Sequence, residues 1–167
     1  MEKKELSEGF APDGYIVDQD CFSSLRYRTM PADINGCGPI AAYNLRRFLG
    51  QEPDWREVYR EMDALHYLHA PGPTSMRVMR LYLDRYVPGY RETPGREEAL
   101  AAAARSRAGI FRYREGQEPH FISYIRSEEG SFRFFNVADG LEDFTMTMEQ
   151  FGAEHFRGGV VIALTVD

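Results

Sequence analysis

Apolar residues change their spacing once along this chain. In the first two-thirds they recur every three or four positions: Ala41, Leu45, Phe48 and Leu49 with Ile40 beside them, then Trp55, Val58, Tyr59, Met62 and Leu65. That period lines one face of a helix and predicts packing into a core. Pro39 suits the first turn of the helix it opens, because its missing N–H would be unpaired there anyway, and Gly50 marks the end. Asp54 with Glu57 is a variant capping box for the second helix. After "APGP", Thr74 is expected to cap a third helix over "SMRVMRLYLDRY", which Pro88 terminates. Thr93 and Pro94 are expected to open a fourth over "GREEALAAAARSR", whose acidic residues fall early, where the helix dipole favours them. The first thirty-odd residues carry only short β-like pieces, "YIV" and "SLRYR".

From Gly109 onward the period becomes two. The runs "IFRY", "HFISYI", "FRFFNV" and "GVVIALTV" are rich in Phe, Ile, Val and Tyr, as half-buried strands are. Helices followed by neighbouring strands predict an α+β domain with a C-terminal antiparallel sheet. No repeat, low-complexity tract or long linker divides the chain, so residues 1–167 read as one domain.

Composition narrows the partners. With 43% hydrophobic and 13% aromatic residues, 167 residues suffice for one sizeable core. A net charge of -6 gives no basic surface for nucleic acid or anionic membrane. The N-terminus lacks the apolar segment of a secretory signal, and no apolar run is long enough to span a bilayer, so a cytoplasmic protein without membrane insertion is expected. Two cysteines, Cys21 and Cys37, are too few for a disulfide framework.

In "NGCGPIAAYNLRRFLG" (35–50) one of them opens a helix. The first helical turn carries unpaired N–H groups and a partial positive charge, both of which favour a thiolate, the nucleophilic form. Gly36 and Gly38 remove side-chain bulk on either side, so a carbonyl carbon and its developing oxyanion have room to approach. Equally open is the plainer reading, in which the thiol is an inert small hydrophobe and the glycines serve the turn. Cys21, in "DQDCFSSL", has no such helix start and reads as a packed thiol. A Cys21–Cys37 disulfide would be a redox-silenced form.

A thiol nucleophile needs a base, and the base an orienting group. His66 and His69 sit three apart on the second helix without a further ligand nearby, so they read as a solvated or hydrogen-bonded pair, not a metal site; no cofactor is called for. His155 falls in a turn before the last strand and is assigned no chemistry. His120 begins the apolar strand "HFISYI" after a polar loop, where a strand end projects a side chain into a cleft. "IRSEEGSFRF" then reads as a hairpin, and its antiparallel pairing brings His120 and Asn136 together at the open end. Asp139 in "NVADG" is the alternative orienter, unless it only closes a turn on its own backbone.

Cysteine opening a helix, histidine opening a later strand, and Asn or Asp ending the next resembles the chain order of papain-like cysteine peptidases. The likeness is to the small bacterial branch related to the leader-peptide-cleaving domains of bacteriocin exporters. "CGPIAAYNLRRFLG", "TSMRVMRLYLDRY" and "HFISYIRSEEGSFRFFNVADG" carry it, loosely, from about residue 30 to the C-terminus. The resemblance implies a papain-like fold in which a Cys-bearing central helix packs on the antiparallel sheet. It also implies Cys37 as nucleophile, His120 as general base and acid, and Asn136 holding the imidazole, with a thioester intermediate formed from a peptide, amide or thioester substrate. The family usually places a Gln shortly before the cysteine as second oxyanion donor; here that position is Pro31, and Asn35 is the nearest amide. Losing such a donor costs about 10² to 10³ in rate. A cysteine peptidase or amidase is therefore expected, with an acyltransferase of the same fold or a catalytically weak peptide-binding module as alternatives. A small α+β interaction protein with a buried Cys37 is the blandest reading.

Overall fold

The computed structural model describes residues 6–67, 72–128, 130–137 and 144–167. The chain opens as a strap made of two 3-10 turns, Leu6–Gly9 and Gln19–Phe22, with a single bridge between Phe10 and Ile16. Strands β1 (Arg26–Tyr27) and β2 (Met30–Pro31) pair antiparallel and lead through the short α1 (Ala32–Asn35) into α2 (Cys37–Phe48). Helices α3 (Trp55–Tyr67) and α4 (Met76–Tyr86) follow, then β3 (Arg91–Pro94) and α5 (Arg96–Arg105). Strands β4 (Ala108–Glu115), β5 (Glu118–Glu128), β6 (Ser131–Phe135) and β7 (Phe144–Met146), helix α6 (Met148–His155) and strand β8 (Ile162–Val166) complete the order. Six strands form one sheet in the order β3-β8-β4-β5-β6-β7, every neighbour antiparallel.

Consecutive strand residues point to opposite faces, and here both faces are covered. Ile110, Phe121 and Leu164 join Ile40, Met62, Val78 and Leu83 in one core, beneath α2, α3 and α4. Phe111, Ile122, Tyr124, Phe134 and Ala163 join Ala99, Ala103 and Phe151 in a second, beneath α5 and α6. Half-buried strands were the expectation; the central strands are buried on both sides because each also carries apolar residues at the positions between. At the centre of the second core the Phe151 ring stacks on Phe134, 4.1 Å between centroids and 3° between planes. Burying such a side chain contributes about 1.5–3 kcal/mol.

Helix α2 lies between the sheet and α3/α4, and Cys37 through Leu45 are buried without a break. Its one buried amide, Asn44, is fully used: Oδ1 accepts from the Ile16 N–H, and Nδ2 donates to the Ile16 carbonyl and the Ser123 hydroxyl. That tie binds the strap to the central helix. Asp54 caps α3 by accepting from the Arg56 N–H at 2.8 Å. Two expected helix starts shift. Ser75, not Thr74, caps α4, its hydroxyl accepting from the Val78 N–H, while Thr74 turns inward to the Tyr27 hydroxyl at 2.7 Å. Thr93 and Pro94 do not open a helix; they pair with β8 in the edge strand β3, and α5 starts only after Gly95 at φ 96°. An edge strand tolerates proline because one side of it has no ladder to complete.

Candidate active site

Cys37 is the first residue of α2, in the turn whose N–H groups have no acceptor within the helix. Its side chain is 5% exposed. Burial pushes the thiol up, but a hydrogen bond to His120, the charge of that imidazole and backbone hydrogen bonds from Phe121 and Gly38 outweigh it, and the thiol ends below its ordinary range. Both cysteines are free thiols, so the disulfide form is not the one seen here. Cys21 is 2% exposed, with its sulfur 3.6 Å from Asp18 Oδ2.

His120 lies on β5 opposite Tyr113 of β4, and the Tyr113 ring meets the imidazole edge-on at 5.8 Å. Its Nε2 is 2.9 Å from the backbone carbonyl of Asn136. A carbonyl only accepts, so Nε2 carries a proton in that bond and Nδ1 is the nitrogen left for the sulfur. The hairpin brings the two residues together by a route different from the expected one. Ser123 pairs with Phe135, which sets Asn136 diagonal to His120 instead of opposite it. Asn136 then leaves the strand at φ 57°, and it is its carbonyl, not its side chain, that meets the ring. Asparagine is among the few non-glycine residues that visit this left-handed region readily.

The Asn136 side chain is engaged elsewhere. Oδ1 accepts from the Gln19 N–H at 3.0 Å, and Nδ2 donates to Gln19 Oε1 at 3.0 Å. Gln19 Nε2 in turn donates to the Asp33 carbonyl of α1 at 2.6 Å. Sequence reasoning passed over Gln19, since three polar letters before Cys21 look like any solvated turn; its signal exists only in three dimensions.

The other candidates are placed as follows. Asn35 is buried, its Nδ2 donating to the Tyr27 carbonyl at 2.8 Å, and its Oδ1 has no protein partner. Pro31 pairs with Arg26 at the end of β2. Asp139 and His69 lie outside the described residues. His66 is buried behind the site with Nε2 2.9 Å from the Tyr27 hydroxyl, and burial raises that phenol well above its ordinary range. His155 ends α6, stacked on Phe151.

The glycines flanking the cysteine do not open a space for a ligand. A Cβ on Gly36 would sit 2.5 Å from the Tyr59 hydroxyl and closer still to the Ala32 carbonyl oxygen. One on Gly38 would sit 2.5 Å from Thr74 Cβ and 2.7 Å from its Cγ2. The room left by the missing side chains is filled by the protein itself, which corrects the expectation that it is held for an oxyanion.

No protein-family model matches the chain, and no curated protein matches it in sequence. A solved structure does match in fold: the peptidase domain of Streptococcus ComA, a bifunctional ABC transporter involved in a quorum sensing pathway. The two superpose with a TM-score of 0.54 at 12% identity, over 81% of this chain and 94% of that one. The chain is thus an α+β protein with the fold of a peptidase domain. Among the described residues no helix is long and apolar enough to cross a membrane.

Proposed function

We propose that the chain is a single papain-like domain acting as a cysteine-dependent hydrolase on a peptide or amide. The observation that carries this reading is the placement of Cys37 at a helix N-terminus, its thiol drawn below the ordinary range by the imidazole of His120, whose Nε2 is held by the Asn136 carbonyl at 2.9 Å. The Cys37 sulfur, having given its proton to His120, attacks the substrate carbonyl carbon and forms a C–S bond while the carbonyl electron pair moves to oxygen. The Cys37 backbone N–H at the head of α2 is the donor for that oxyanion. Collapse breaks the C–N bond, and the leaving amine takes the proton from His120. Water then attacks the thioester, His120 accepts its proton, and the sulfur departs.

A second reading, a peptide-binding module with weak chemistry, is favoured by one observation: Asn35, the nearest amide in a chain with Pro31 where the family has Gln, is donating to Tyr27 instead.

Iodoacetamide alkylation separates the outcomes. Cys37 is expected to react well below the pH at which an ordinary thiol does, and His120→Ala to abolish that advantage. Incubation with an activated acyl ester then leaves a Cys37 thioester, detected by mass, that turns over in the hydrolase and persists in the binding module. Equal pH profiles for Cys21 and Cys37 would remove the catalytic reading altogether.

A further inference from the structure

We propose that Gln19 is the positioning residue of this site: it aims Asn136, and through Asn136 the imidazole of His120, at Cys37. The proposal rests on Cys37 and His120 being the reacting pair. Asn136 presents its carbonyl to His120 only because its backbone is held at φ 57°. Asparagine tolerates that conformation better than most residues, but it is still sparsely populated, and surrounding bonds decide whether it is kept. Gln19 supplies those bonds, its N–H and its Oε1 taking both ends of the Asn136 amide. With them gone, the Asn136 backbone is free to relax toward the extended strand and turn its carbonyl away from Nε2.

Gln19 is itself anchored on the opposite side. Its Nε2 donates to the Asp33 carbonyl in α1, the helix immediately before Cys37. One amide therefore bridges the segment that carries the sulfur and the strand end that orients the imidazole. Neither Glu nor a shorter amide does both: Glu has no donor for Asp33, and Asn does not span the gap. The strap around Gln19 is fastened to the same two parts. Asn44 ties Ile16 to α2, Asp13 pairs with Arg133 of β6, and Tyr15 stacks at 4.6 Å on Phe135, the residue before Asn136.

The test follows the Cys37 thiolate by its ultraviolet absorbance against pH, in a Cys21→Ser background, so that access to the sulfur does not matter. Gln19→Met keeps volume and backbone N–H but removes both side-chain bonds. It is expected to raise the thiolate midpoint by about one pH unit, about tenfold less thiolate at a fixed pH below it, toward the value of His120→Ala. Asn136→Ala removes the clamp from the other side and leaves a residue for which φ 57° is costly; it should give a similar rise, and adding Gln19→Met to it should change nothing more. A Gln19→Met midpoint equal to the parent's, with His120→Ala raised, would overturn the positioning role and leave the catalytic reading intact. A His120→Ala midpoint equal to the parent's would overturn both. Should Gln19→Met lose its circular dichroism, Asn136→Ala decides alone: a parental midpoint there refutes the clamp.

Discussion

Gly38→Ala distinguishes a glycine kept for a substrate from one kept for packing. The added Cβ would lie 2.5 and 2.7 Å from two Thr74 carbons, and closer still to the Thr74 hydroxyl. Ordinary carbon contact begins near 3.5 Å, so α2 and Thr74 must separate by roughly 1 Å. Thr74 cannot simply rotate away, because its hydroxyl is bonded to Tyr27, which is bonded to His66, and the next residue caps α4. Overpacking of this kind costs about 1–3 kcal/mol, and at about 2–4 °C per kcal/mol for a chain of this size the melting temperature should fall by roughly 2–12 °C. Cys37 is the adjacent residue, and a displacement of ~1 Å at a reacting atom costs about 10²-fold in rate. Calorimetry and the rate of Cys37 acylation are the assays, run also on Thr74→Gly and the double variant. Thr74→Gly removes all three crowding atoms, so the double variant should be more stable than the sum of the single effects by about 1 kcal/mol or more. If Gly38→Ala melts within roughly 1 °C of the parent while acylation slows, the packing argument fails and the glycine serves the substrate.

Two further outcomes follow from groups away from the sulfur. Ser75→Ala removes the α4 cap and should cost about 1 kcal/mol, read from the urea midpoint; an unchanged midpoint would mean that another group caps the helix. Arg80 donates to both oxygens of Glu92 at 2.7 and 2.6 Å, which holds that carboxyl below its ordinary value of 4.5 despite partial burial. A depressed carboxylate stabilises the fold above its unfolded pKa and loses that contribution as pH falls through the folded one. Glu92→Gln should therefore cost a constant amount at neutral pH, under about 1 kcal/mol for so exposed a pair, and nothing in acid. A gap between the two urea midpoints that widens as pH falls would contradict this.

Much of the architecture was legible in the sequence where one local rule dominated. Pro39 and Gly50 bracket α2, and the polar "SEEG" marks the turn between β5 and β6. Of the second helical layer α5 was legible in "GREEALAAAARSR", but α6 was not. Helix α6 is eight residues long with a glycine inside it, and a Cβ on Gly152 would press on the Leu100 side chain of α5. Strand β3, "RETP", is charged and contains proline; only its partner β8 makes it a strand. The consecutive apolar residues Ile110 and Phe111 did carry a hint of two covered faces, since a half-buried strand alternates. At the candidate site Cys37, His120 and Asn136 could be picked out by residue type and order. Which atom of Asn136 faces the imidazole could not, because that depends on one backbone angle, and the angle depends on Gln19.

The amides of Gln19 and Asn136 meet across 117 residues of chain, and of the groups that acidify the sulfur only the Gly38 N–H is local, while His120 and the Phe121 N–H come from far along the chain. A ribosome therefore releases α2 long before β5 exists. Throughout that interval the emerging polypeptide carries an ordinary, mostly protonated thiol, inert toward the crowd of chaperones and unfinished chains around it. If Cys37 is the nucleophile, its activation waits until β5 has been made and has docked beside α2.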